Sequence, residues 1–153
     1  MSFIFAWWWL LLPIGGSVLY RISRGKPVLF FGVRGASFQE RNASGRSNRS
    51  VLTRFGGARG CLVVAVVGDR VVIRPWFPFT LMFMPEIYNL EFEFFVRDIV
   101  DATTVESFAG KRIDLSFRNS AGETEAVALH LRNSERFLEV LNRPTAISAV
   151  AGA

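Results

Sequence analysis

The feature that most constrains this chain is its first apolar stretch, because from Phe3 to Tyr20 (FIFAWWWLLLPIGGSVLY) 18 consecutive positions carry no charge. Wound as a helix at about 1.5 Å per residue, the run reaches roughly 27 Å, close to the ~30 Å of bilayer hydrocarbon. Pro13, Gly15 and Gly16 interrupt it. Such residues weaken a water-exposed helix, the proline by about 3 kcal/mol, but membrane helices tolerate them where neighbours satisfy the freed carbonyls. Tyr20, Arg21 and Arg24 then supply an aromatic and two bases, the order of a cytoplasmic interface, while Trp7 to Trp9 lie deeper than an aromatic belt. A cleaved signal peptide needs Lys or Arg ahead of its apolar core, and only the α-amino group precedes Phe3, although Gly15 and Ser17 offer small residues for cleavage. The expectation is an uncleaved anchor over residues 1–24 that meets the bilayer through residues 3–20, with a cleaved signal or a buried core helix as alternatives.

Charge is distributed unevenly behind that segment. Residues 21–59 hold nine Arg or Lys against the single acid Glu40, a net +8, whereas residues 60–153 hold nine bases against twelve acids, a net −3. Positive charge immediately after an apolar span fixes orientation, so the carboxy-terminal part is expected in the cytoplasm, in a single-pass arrangement. Residues 34–60, RGASFQERNASGRSNRSVLTRFGGARG, are rich in Gly, Ser, Asn and Arg and sustain neither a period of 2 nor of 3.6. They read as an irregular basic linker, residues 25–60, with PVLFFGV at 27–33 either a short strand or a membrane-surface contact. Bases spaced through small polar residues suit anionic headgroups, at about 1 kcal/mol each near the surface. A nucleic-acid partner is not expected, since no aromatic platform interleaves these arginines. The sequons at Asn42 and Asn48 matter only in a secretory lumen.

Farther on, period-2 patterns take over. CLVVAVVGDRVVIRPWF (61–77) places Gly68-Asp69 between two β-branched runs, the signature of a two-residue hairpin turn. IVDATTVESF (99–108), RIDLSF (112–117) and EAVALHL (125–131) read as further strands, with Gly110 and NSAG (119–122) as punctuation. In SERFLEVLN, Phe137, Leu138 and Leu141 share one side of a short helix that Asn133 or Ser134 can cap and Pro144 ends. Residues 76–97 contain two candidate strands, Phe79 to Met84 and Leu90 to Val96, with Glu91 and Glu93 facing water and Phe92 and Phe94 facing the core. The aromatic run from Trp76 to Phe83 fits either that core or an exposed contact surface. The division expected is therefore 1–24 anchor, 25–60 linker, 61–142 β domain and 143–153 flexible tail.

Over residues 55–142, the phrases GCLVVAVVGDRVVIRPWFPF, FVRDIVDATTVE, RIDLSF and SERFLEVL resemble the pleckstrin-homology-like (PH-like) superfold, including its bacterial and GRAM-like branches. The resemblance implies an α+β, mainly β fold: a partly open antiparallel barrel or sandwich with a carboxy-terminal capping helix, following a transmembrane helix. It further implies binding of lipid headgroups, peptides or proteins rather than catalysis. Arg70 after the Gly68-Asp69 turn is one base and not a headgroup pocket.

The chemical inventory favours binding over catalysis. His130 is the only histidine and falls mid-strand; Cys61 opens an apolar strand as a small hydrophobe. Glu91, Glu93, Asp98 and Asp101 match no calcium loop, and the glycines at 56, 57 and 60 lack the Lys of a phosphate loop. No cofactor, metal or catalytic residue is expected. Candidate contacts with anionic lipid or a protein partner are Arg21, Arg24, Lys26, Arg34, Arg41, Arg46, Arg49, Trp76, Phe77, Phe79 and Phe83. The leading expectation is a membrane-anchored cytoplasmic binding or scaffolding module. Two rivals are a membrane-bound enzyme using Gln39, Glu40 and nearby arginines on a phosphorylated substrate, and a secreted all-β domain beginning near residue 18.

Overall fold

A computed structural model describes residues 14–47, 57–81, 90–107 and 110–143. Residues 14–23 are helical (α1). Seven strands follow: β1 (Phe38–Ser47), β2 (Ala58–Val67), β3 (Arg70–Pro75), β4 (Phe92–Phe95), β5 (Ile99–Ser107), β6 (Gly110–Arg118) and β7 (Thr124–His130), then helix α2 (Ser134–Asn142). They form one antiparallel sheet in the order β4-β3-β2-β1-β7-β6-β5. The sheet curls so that Phe92 and Phe94 of β4 meet Phe117 of β6, the latter pair stacked with ring centroids 3.8 Å apart. A partly open, mainly β fold closed by a helix is thus the architecture.

Local chemistry explains the hairpins. Gly68 takes φ +59 at the β2–β3 turn, a left-handed conformation that costs glycine little, and Val67 pairs with Arg70 across it. At the β6–β7 turn the Asn119 side-chain oxygen accepts the N–H groups of Ala121 and Glu123, so an Asx turn replaces the missing ladder bonds. The core is aliphatic between β2, β3, β6 and β7, with Leu62, Val64, Ile73, Ile113, Leu115 and Leu129 buried. Cys61 lies in it as a small hydrophobe whose thiol burial raises its pKa against a weaker backbone hydrogen bond.

The main correction concerns the segment read as an irregular linker. Residues 38–47 are the central strand of the sheet, paired with β2 on one side and β7 on the other, so the domain does not begin at residue 61. Its sequence, FQERNASGRS, hides the strand for two reasons. The residues it buries include Glu40, Ala43, Gly45 and Ser47, which are small or polar because two neighbours press close: a Cβ on Gly45 would lie 2.7 Å from Leu62 Cδ1 and 3.2 Å from Leu129 Cδ2. In addition, Asn42 sits at φ +62 and the pairing register with β2 shifts on either side of Ala43, which breaks the alternation.

Three further expectations change. The residues expected to start a strand at Phe79 form a 3-10 turn, Phe79–Leu81, while residues 82–89, Phe83 among them, lie outside the described residues. Residues 27–33 are not a strand but an extended strap without ladder pairing. At α2, the expected cap by its own Asn133 or Ser134 side chain is not made. Instead the Glu40 carboxylate of β1 accepts the N–H groups of Arg132 at 2.7 Å and Asn133 at 3.0 Å. An anion from the central strand therefore closes the helix amino terminus, where backbone donors have no helical partner. Phe137 completes the joint against Phe38, ring centroids 5.2 Å apart.

Candidate functional site

The site begins with the direction in which α1 faces. Ser17 and Arg21, one turn apart, are 0% and 1% exposed, whereas Leu19 and Ile22 are 70% and 62% exposed. Helical residues three and four apart share a face, so α1 turns its hydroxyl and guanidinium toward the protein and its aliphatic side chains away from it. In water this is the reverse of an amphipathic helix.

Arg21 can be buried because a distant carboxylate meets it. Its guanidinium donates to Glu91, at the approach to β4, and through Nε and Nη2 to the Pro27 carbonyl at 3.2 and 3.1 Å. The Lys26 ammonium reaches the other Glu91 oxygen at 2.6 Å. Burial pushes the Glu91 carboxyl up, but the hydrogen bonds and charges of Lys26 and Arg21 outweigh it and hold the group below the ordinary carboxylate value. One anion thus ties together the end of α1, the turn after it and the sheet.

The strap that follows is pinned from the sheet side. Its Phe30 carbonyl accepts the Phe77 N–H at 2.9 Å, and its Val28 carbonyl accepts the hydroxyl of buried Thr80 at 2.8 Å. The Arg74 guanidinium lies over the Phe30 ring, and Phe31 packs at a tilt on Phe77, centroids 5.6 Å apart. Farther along, the Gln39 side-chain oxygen accepts the Val33 N–H. Val28 and Phe30 therefore turn partly inward while Leu29 and Phe31 stay exposed.

The expected contact residues divide accordingly. Arg21 is withdrawn from solvent and Lys26 is paired, so neither presents a free charge outward, while Arg24 lies over the Tyr20 ring and Arg34 is exposed beside Gly35. Arg41 and Arg46 are exposed on β1; Arg49 lies outside the described residues. Trp76, Phe77 and Phe79 are half-buried, Trp76 edge-on to Phe79, and thus serve packing more than display. Gln39 and Glu40, the residues a phosphate-directed enzyme would use, hold the strap and the α2 terminus. The acidic group is dispersed: Glu91 meets Arg21 and Lys26, Glu93 bridges Arg70 and Arg74, and Asp101 accepts from Thr103. Among the described residues no group of three or more His, Cys, Asp or Glu side chains could hold a metal.

Sequence reasoning missed Glu91 as an anchor point and missed Leu19, Ile22, Leu29 and Phe31 as the outward face. Ser17 and Arg21, four apart in an otherwise apolar run, were the available signal for which side of the helix meets protein. A cleft of about 380 Å³ opens at the corner between β4 and the β6–β7 turn, with Arg70, Arg118 and Glu125 on its rim. Its floor of Phe92, Phe94 and Phe117 is buried, so the cleft is the packed seam of the curled sheet.

Strand order and closing helix define an open antiparallel β domain capped by a carboxy-terminal helix. No family model matches the chain, and no curated protein matches it significantly. Among solved structures it is similar to the Vps36 N-terminal PH domain, at 18% identity and a TM-score of 0.43, covering 78% of this chain and 83% of that one. A likeness of that strength carries no argument. No helix of the described residues is long and apolar enough to cross a membrane; residues 1–13, on which most of the anchor expectation falls, lie outside them.

Proposed function

We propose that this protein is a membrane-tethered binding or scaffolding module whose β domain is held at the cytoplasmic face by the apolar segment before it. The reversed polarity of α1 carries this reading. A helix that buries Arg21 and Ser17 and exposes Leu19 and Ile22 is unfavourable in water, while in hydrocarbon charged groups face protein and aliphatic groups face lipid. The sequence just before it extends the uncharged run back to Phe3, and the net +8 of residues 21–59 sets the orientation. The PH-like fold suits capture of a lipid or protein partner, and the commitment of Gln39 and Glu40 to structural contacts weighs against the phosphate-directed enzyme.

Carbonate extraction of membranes from cells expressing the full chain, with protease added to sealed vesicles of known orientation, tests this. The chain should stay in the pellet, its carboxy-terminal part cut only from the cytoplasmic side. Release into the carbonate supernatant refutes the tether.

A further inference from the structure

Among the described residues, most exposed large apolar side chains fall between residues 19 and 31. Among the described residues the exposed large hydrophobics are Leu19, Tyr20, Ile22, Leu29 and Phe31, and apart from these Val100 alone. Leu29 and Phe31, 62% and 54% exposed, belong to the strap and not to the helix. They are not loose loop residues: the carbonyls of Val28 and Phe30, on either side of Leu29, are bonded to Thr80 and Phe77, and Arg21 holds the Pro27 carbonyl. The strap is thereby fixed to present alternate side chains outward, and ordering costs at a contact surface are small when the surface is already rigid.

The charge carried by this stretch of sequence is of one sign. No Asp or Glu occurs before Glu40, and Arg24 and Arg34 flank the strap exposed. Among the described residues Glu91 meets both Arg21 and Lys26, while Arg24 and Arg34 stay exposed. Apolar side chains interleaved with bases, continuous with an uncharged run that ends at Tyr20, match the boundary layer of an anionic bilayer.

We propose that the strap lies in that layer, with Leu29 and Phe31 inserted beneath the headgroups and Arg24 and Arg34 against the phosphates. The β domain is then docked in one orientation and does not swing on a linker. This rests on the membrane reading of α1 and adds a second contact to it.

The test uses the full chain, carrying Cys61→Ala, in vesicles of phosphatidylcholine with phosphatidylglycerol. Single cysteines at Leu29→Cys, Phe31→Cys, Ile22→Cys and, as an outside reference on β5, Thr103→Cys carry an environment-sensitive fluorophore, and lipids spin-labelled at shallow and deep positions quench it. Positions 22, 29 and 31 should be quenched most by the shallow label, and position 103 by neither. Adding Arg24→Gln and Arg34→Gln should reduce quenching at 29 and 31 several-fold and leave position 22 unchanged. Quenching at 22 with positions 29 and 31 behaving like 103 overturns the docked strap while keeping the tether. No quenching at any of the four overturns both.

Discussion

Replacing Glu91 by glutamine isolates the contact on which the attachment of α1 depends. The change keeps size and one acceptor but removes the carboxylate that the buried Arg21 guanidinium and the Lys26 ammonium both meet. Truncating one member of a buried ion pair costs about 3–5 kcal/mol. Glu91 is not fully desolvated, Lys26 is partly exposed, and the amide still accepts one bond, so about 2–3 kcal/mol is expected here. That converts to roughly 30- to 150-fold in the opening equilibrium of the turn and strap. Amide exchange reads it directly: the Lys26 N–H, bonded to the Arg21 carbonyl, and the Phe77 N–H, bonded to Phe30, should lose protection by that factor near neutral pH. The acid limb supplies a second check. Because the folded carboxyl is held below its unfolded value of about 4.3, its contribution is complete above that pH and lost as pH falls through the folded value. Wild-type protection, corrected for intrinsic rates, should fall in acid, and that of Glu91→Gln should not fall further through this group. Arg21→Met with Glu91→Leu should recover most of the loss, as apolar replacement of a whole buried pair does. Unchanged protection in Glu91→Gln near neutral pH would refute the assignment of Glu91 as the latch.

Glu40→Gln, which removes the charge and one acceptor at the α2 terminus, should lower stability by about 1–2 kcal/mol in denaturant titration, and Glu40→Ala by about 3 kcal/mol. Gly45→Val should cost about 1–3 kcal/mol by overpacking against Leu62 and Leu129, seen as a lower denaturation midpoint with unchanged slope. Phe117→Ala removes the ring shared by Phe92 and Phe94 and should cost about 3–5 kcal/mol by the same measurement.

The legible parts of the sequence are those where local chemistry and the final environment agree. The Gly68-Asp69 turn, the strand restart at Gly110 and the Phe137–Leu141 side of α2 all appear where residue type and period place them, because each is fixed by neighbours in sequence. β1 was illegible because its buried positions are small or acidic for reasons that lie in β2, β7 and α2 and not in the strand itself. The candidate site divides the same way. An apolar run followed by bases is visible at residues 3–24, but that Arg21 turns inward depends on Glu91, 70 positions later. Locally only its spacing of four from Ser17 distinguishes that arginine from Arg24, which stays outside. Likewise the exposure of Leu29 and Phe31 follows from Phe77 and Thr80 holding the intervening carbonyls.

The central position of β1 also governs when this domain can fold during its own synthesis. Its partners are β2, made soon after it, and β7, which is complete only when His130 has been added. The Glu40 bond to Asn133 spans 93 positions, so the first strand translated is the one whose environment is finished last. Closing so long a loop is slow and leaves half of a central strand unpaired meanwhile. Ribosomes must therefore release nearly the whole β region before the sheet closes, by which time residues 3–20 have long been outside the exit tunnel. A nascent chain stalled before residue 124, where β7 begins, should remain protease-sensitive throughout β1, and one with a carboxy-terminal extension long enough to bring residue 143 out of the tunnel should not.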